Sequence, residues 1–157
     1  MSIIYRPAEY KDILKIAEVR TDATEEIKRR HGFDSKKAHN EPNPFYIFSL
    51  QKEPEGFWVA EEKGDILGMT ISWVRGNLWF LSFLFVSPSH QDKNVGQNLL
   101  RMALQHGGEK KITNRAVLLL HITQRLSGSI CNTGCTHGNL CTAWLVQVLQ
   151  QHPSKVT

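Results

Sequence analysis

The sequence predicts a layered α/β domain in which helices cover both faces of a mixed, mostly antiparallel central sheet. Three observations carry this. Residues 57–86 contain three β-type segments joined by glycine-bearing turns of hairpin length. The third segment, LWFLSFLFV, is apolar at nearly every position, as expected of a strand buried on both faces. A glycine-bearing loop, a helix-period segment and another apolar run then follow, which together make a β-loop-α-β unit.

Each element has its own signal. Ile3 to Arg6 is a short apolar run stopped by Pro7 and reads as the first strand. Ile13, Ile16, Ala17 and Val19 recur at helical spacing, which predicts a helix from Tyr10 to Thr21. A second helix is expected over Thr24 to His31, closed by Gly32. Asp34 to Pro44 is polar, carries two prolines and reads as a loop; Phe45 to Gln51 reads as a short helix. Strands follow at Phe57 to Glu61, Ile66 to Val74 and Leu78 to Val86, with turns at Lys63-Gly64-Asp65 and Arg75-Gly76-Asn77. Pro88 ends the last of these. From Gly96 onward, Leu99, Leu100, Ala103 and Leu104 keep a helical period up to Gly107-Gly108. Arg115-Ala116-Val117 opens a fifth strand.

The chain of 157 residues suits one core, and its 41% hydrophobic and 22% charged content is ordinary for a globular domain. No apolar run is long enough to span a bilayer, and the first residues lack the pattern of a secretory signal, so no membrane partner and a cytoplasmic location are expected. The net charge of +4 favours anionic ligands. The basic residues are dispersed apart from Lys28, Arg29 and Arg30, which read as the solvated face of a helix rather than as a nucleic-acid patch.

The chemistry is expected at the third strand's exit. A helix N-terminus presents unpaired N–H groups and a partial positive charge, and a loop wrapped around it binds phosphate. The loop QDKNVG, Gln91 to Gly96, lies at such a junction. Gly96 lets a ligand approach the backbone closely, and Lys93 adds a charge. Phe85-Val86, Pro88, Gln91, Gly96 and Leu99-Leu100 fall in the register of the GNAT N-acetyltransferases, which the chain resembles from about residue 3 to 117.

The resemblance implies a GNAT-like acyl-CoA N-acyltransferase fold over residues 1–117, with its motif core at 78–105. It implies acetyl-CoA as co-substrate and a primary amine, small molecule or peptide, as acceptor; assembly stays open, a homodimer included. Backbone groups of Phe85 and Val86 would bind the pantetheine arm as an added strand would. Gln91, Asp92, Lys93, Asn94, Val95, Gly96 and Gln97 would hold the pyrophosphate. Where the family has its first glycine, this chain has Asn94. Asn tolerates left-handed geometry, so the turn survives, but its side chain projects toward the pyrophosphate path and weakens CoA binding. The amine must lose a proton to a base, for which Glu61, Glu62 and His31 are candidates, each also readable as an ordinary surface residue. A backbone N–H near Val86 would stabilise the developing oxyanion. The rival reading is a non-catalytic acyl-CoA-binding or interaction domain. The acceptor wall is expected from residues 10–31 and 34–44.

The resemblance stops after Val117. The family continues with Asn-Pro and a helix bearing a tyrosine that protonates the departing thiolate; residues 118–157 contain no tyrosine and no proline before Pro153. Read one base out of frame, the codons from residue 120 can encode A-Y-N-P-A-V-I-R-V-Y-M-Q-Y-G-M-Y-P, which restores that segment. Residues 118–157 therefore read as an aberrant tail, translated out of frame after loss of one nucleotide between the codons for Val117 and Leu120. A stop codon in the shifted frame of the coding DNA sinks this reading. The tail leaves the C-terminal part of the fold incomplete, with neighbours of the fourth strand unpartnered and catalysis impaired. Ala143 to Leu149 has the spacing of a short helix. Cys131, Cys135, His137 and Cys141 offer four possible ligands, but the spacing fits no common zinc pattern, so no metal is expected.

Overall fold

A computed structural model describes residues 2–30, 32, 43–108, 112–121 and 143–150. The described strands are β1 (Ile4–Pro7), β2 (Phe57–Glu62), β3 (Asp65–Arg75), β4 (Leu78–Val86), β5 (Asn114–His121) and β6 (Ala143–Gln150). They form one sheet in sequential order. β4 and β5 are parallel; every other neighbouring pair is antiparallel. Among the described residues, three α-helices flank it: α1 (Ile13–Arg30), α2 (Pro44–Lys52) and α3 (Val95–Gly108).

Helices cover both faces, as the sequence predicts. α1 and α2 pack Ile13, Ile16, Ala17, Tyr46 and Leu50 onto Phe57, Val59, Met69, Ile71 and Trp73. On the opposite face, Val95, Leu99 and Ala103 of α3 pack against Ala60, Leu67, Val74, Trp79 and Leu81. The doubly buried strand is β3, enclosed at every position between its two ends. β4 is more open, its last four residues being only half-buried. Its exit half borders a gap in the sheet, which hydrophobicity alone does not reveal.

The hairpin turns follow from backbone chemistry. Lys63 and Gly64 both adopt positive φ, at 54° and 86°, as the favoured two-residue hairpin turn requires. At the next turn, Thr113 and Asn114 donate their N–H groups to the Asn77 carbonyl at 3.0 and 3.1 Å, tying the β3–β4 connection to the start of β5.

Three expectations need correction. Residues 13–30 form one helix rather than two. Nothing between Thr21 and Thr24 breaks a helix, and the Thr24 hydroxyl donates back to the Arg20 carbonyl at 2.8 Å within it. Ala143 to Leu149, expected as a short helix, lie instead in β6. The β5 edge offers unpaired backbone groups, and the valine-rich run AWLVQVLQ pairs with it from Asn114↔Gln150 to His121↔Ala143. The β5 edge, expected to lie open beside the tail, is covered by β6. Cys131, Cys135, His137 and Cys141 lie outside the described residues, as does His31.

Candidate functional site

The site begins with a fork in the sheet. β4 pairs with β5 only from Leu78 to Leu81. In the β3–β4 ladder, Ile71 faces Phe83 whereas Ser72 faces Leu81, so Ser82 is an extra, bulged residue. A bulge bends and twists its strand. From here β4 stays with β3 and β5 stays with β6, so the two parallel strands part.

The exit half of β4 presents its backbone unequally. The Phe83 carbonyl accepts from the Thr70 hydroxyl at 3.0 Å. The Ser87 N–H donates to the Leu67 carbonyl at 2.8 Å. Phe83, Phe85 and Ser87 therefore turn their backbone groups to β3, and strand alternation turns those of Leu84 and Val86 into the fork. Of the two sequence candidates, Val86 thus faces the opening and Phe85 faces β3. The Val86 carbonyl meets only the Gln91 side-chain amide, at a long 3.4 Å.

The loop beyond Val86 brings a helix N-terminus to the mouth of the fork. Residues Pro88–Lys93 form a 3-10 turn, and Asn94 follows with φ 57° and ψ 16°. The left-handed turn expected of Asn94 is therefore present. Asn98 is the first residue of the next turn to donate within the helix, to the Asn94 carbonyl at 3.1 Å. The N–H groups of Val95, Gly96 and Gln97 precede it and have no intrahelical acceptor. Gln91, Lys93, Asn94 and Gln97 are exposed around them, and Asp92 belongs to the same turn. A Cβ on Gly96 would meet only Val86 Cγ2, at 3.5 Å, an ordinary contact. Neither packing nor a left-handed φ demands glycine at this position.

Tight packing fixes the helix there. A Cβ on Gly68 would stand 2.9 Å from Leu99 Cδ1 and 3.3 Å from Val95 Cγ1, so α3 rests almost on the β3 backbone. At its other end α3 is held by a buried polar chain. Ser72 Oγ lies 3.0 Å from His106 Nδ1, and His106 Nε2 lies 3.2 Å from Glu53 Oε1. Glu53 also accepts from the Val74 N–H at 2.6 Å and pairs with Arg75.

The candidate bases lie elsewhere. Glu61 is on β2 and is gripped by Arg6 at 2.7 Å, while Arg6 also pairs with Asp12 at 2.7 Å. Burial pushes the Asp12 carboxyl upward, but the Arg6 guanidinium and the Glu9 N–H outweigh it and hold the group below its ordinary range. Glu62 faces Asp65 at the end of the β2–β3 hairpin.

The face of the fork beneath α1 and α2 carries groups that motif matching misses. Phe45 lies edge-on to Phe83 with centroids 5.4 Å apart, Phe48 stacks on Trp73 at 5.6 Å, and Phe83 contacts Phe85 at 5.8 Å. Tyr46 sits edge-on to Phe83 at 6.3 Å and is fully buried, yet among the described residues its hydroxyl has no partner. Arg20 Nε and Thr21 Oγ1 on α1 are likewise buried without partners. The sequence did hold a signal: Arg20 continues the inward stripe Ile13, Ile16, Ala17, a position where charge is out of place.

A sheet that forks beside a helix N-terminus is the architecture that the GNAT resemblance implies. The profile of the acetyltransferase (GNAT) family matches residues 15–126, and the chain belongs to that family. The match runs past Val117, where the motif resemblance stops. No curated protein matches the chain. Among solved structures, the chain is similar to the PaiA N-acetyltransferase of Thermoplasma acidophilum, solved with coenzyme A. Identity is 21% and the TM-score 0.64, over 76% of this chain and 80% of that one. It is also similar to PH1933 of Pyrococcus horikoshii, at 14% identity and TM-score 0.64, over 97% of this chain and 100% of that one. An acetyltransferase-like structure from Pyrococcus horikoshii aligns at 20% identity and TM-score 0.59, covering 74% of this chain, which spans only 38% of that one. Among the described residues, no helix is long and apolar enough to cross a membrane.

Proposed function

We propose that the chain binds acetyl-CoA in the fork and transfers the acetyl group to a primary amine. The observation that carries this is the parting of β4 and β5 after Leu81, directly beside the unpaired N–H groups of Val95, Gly96 and Gln97. Those groups and the helix dipole suit a pyrophosphate, with Gln91 to Asn94 and the Lys93 charge around it. The fork-facing backbone of Leu84 and Val86 suits the amides of a pantetheine arm laid down as an added strand. Gly96 gives the phosphates room.

In the transfer, the amine nitrogen attacks the thioester carbonyl carbon. The C–N bond forms, the C–S bond breaks, and the thiolate leaves. A fork-facing N–H of Leu84 or Val86 stabilises charge developing on the carbonyl oxygen. The proton lost by the amine passes to a base, for which Glu62, His31 and solvent remain the candidates while Arg6 holds Glu61. Thiol release from acetyl-CoA in the presence of a panel of primary amines tests the reading. Release above the amine-free rate supports it; tight acetyl-CoA binding without release with any amine favours the non-catalytic acyl-CoA-binding domain.

That second reading draws on Asn94, whose side chain stands at the head of the phosphate loop, and on residues 118–157. We read those residues as an out-of-frame tail to the transferase domain of residues 1–117, and expect it to impair turnover.

A further inference from the structure

We propose that Arg20, with the Tyr46 and Thr21 hydroxyls, forms an anion-binding subsite on the acceptor side of the fork, so that the preferred acceptor is a primary amine that also carries a carboxylate. This rests on the transferase reading above and specifies its acceptor.

The argument starts from unmet polar demand. A buried polar group without a hydrogen bond is costly, and an unpaired buried charge more so. Arg20 follows the helical spacing of Ile13, Ile16 and Ala17 and is half-buried; its Nε is buried and, among the described residues, without a hydrogen-bond partner. The basic residues at the end of α1 are paired: Lys28 with Glu25, and Arg29 and Arg30 with Glu26. Of the three arginines on α1, Arg20 is the one for which no ion pair stands among the described residues, and its Nε is the buried one. Thr21 Oγ1 is adjacent and equally unpartnered, although a helical threonine can donate to the preceding turn, as Thr24 does.

The location is specific. Tyr46 belongs to α2, is 0% exposed, and lies edge-on to Phe83, the residue directly after the β4 bulge. Arg20 is within electrostatic reach of it, its charge acting on the phenol against the upward push of burial. Tyr46 thus holds an unmet hydroxyl beside the residue after the β4 bulge, on the face opposite α3, with Arg20 in electrostatic reach. Phosphates are accounted for by the N-terminus of α3 at the loop end, so the anion at Arg20 belongs to the other substrate. Around the donors, the strand residues on this face are Met69, Ile71, Trp73, Phe83 and Phe85, none of them charged. An amine enters such a site more readily as a zwitterion whose carboxylate meets Arg20 than as a bare cation.

The test pairs amines that differ only in the carboxylate, lysine against cadaverine and phenylalanine against phenethylamine, at saturating acetyl-CoA. Calorimetry without turnover runs in parallel, as does a separate acetyl-CoA titration. The wild type is expected to favour the carboxylated member by about tenfold or more. In Arg20→Gln the preference falls to within about twofold through the acceptor KM or Kd, with acetyl-CoA affinity and melting temperature undiminished; Arg20→Lys restores part of it. Wild-type preference below about twofold in both assays overturns the subsite, as does an unchanged preference in Arg20→Gln. Selective calorimetric binding with no turnover supports the subsite while contradicting the catalytic reading; unselective acetylation does the reverse.

Discussion

Leu99 lies so close to Gly68 that a Cβ on the glycine would stand 2.9 Å from Leu99 Cδ1. The same Cβ would stand 2.9 Å from the Phe85 carbonyl oxygen, so one missing methyl group sets both the seat of α3 and the β3–β4 spacing beside the fork. Leu99 could rotate away, but a backbone carbonyl cannot. Gly68→Ala is expected to destabilise the fold by about 1–3 kcal/mol in urea unfolding. It is also expected to weaken acetyl-CoA binding, because the N-terminus of α3 must lift. Unchanged unfolding midpoints would show that α3 is not seated in this way.

Asn94 holds its left-handed φ of 57° at a cost that glycine would avoid. Asn94→Gly removes both that strain and the side chain at the head of the phosphate loop. Stability is expected to change by less than about 1 kcal/mol, while acetyl-CoA affinity rises several-fold in calorimetry. Asn94→Val, a β-branched residue at positive φ, is expected to lower both. Equal affinity in the wild type and Asn94→Gly removes the argument for a weakened site.

Arg6 joins Asp12 and Glu61 at the β1 edge, and Asp12 is the more buried acid, with a side chain 5% exposed. Its folded-state carboxyl titrates below the ordinary 3.8. The unfolded chain therefore binds the proton first as pH falls, so this contribution is complete above the unfolded value and is lost as pH drops through the folded one. Asp12→Asn is expected to cost about 1–3 kcal/mol at neutral pH and to flatten the acid limb of the stability profile. A variant whose acid limb stays as steep as the wild type's contradicts this role for Asp12.

The proposed out-of-frame tail makes a prediction about turnover. Restoring the shifted frame after Val117 is expected to raise the acetylation rate substantially over this chain on the same amine. Equal rates in the two chains would show that residues 118–157 as they stand do not impair transfer.

Much of this architecture was legible because its signals are local. Lys63-Gly64 and Gly76 mark turns through backbone geometry, and Gln91 to Gly96 marks a strand-to-helix junction through one short string. What escaped depended on distant partners. The inward stripe of α1 runs through Thr21 and Ala23 because the sheet lies beneath both, so the polar residues there did not divide the helix. Residues 143–150 take a strand conformation from the β5 edge, against their own helical spacing. β4, nearly uniformly apolar, borders an opening, whereas β3, with Thr70 and Ser72 in it, is enclosed. Both of those hydroxyls find acceptors, Thr70 at Phe83 and Ser72 in the His106 cluster, so burial tolerates them. Arg20 is the instructive miss: a charge at a core position of the helical repeat was visible, but that its Nε is buried without a partner among the described residues depends on the folded chain.

The most direct test of the central claim uses Gly96, because the protein itself leaves room there for a methyl group, with only Val86 Cγ2 in contact at 3.5 Å. Acetyl-CoA is titrated calorimetrically into the wild type and Gly96→Ala, with unfolding measured on both. If the N-terminus of α3 cradles the pyrophosphate, the wild type binds one equivalent and Gly96→Ala loses about tenfold or more in affinity while remaining at least as stable. No binding by the wild type, or equal binding by both proteins, contradicts the account.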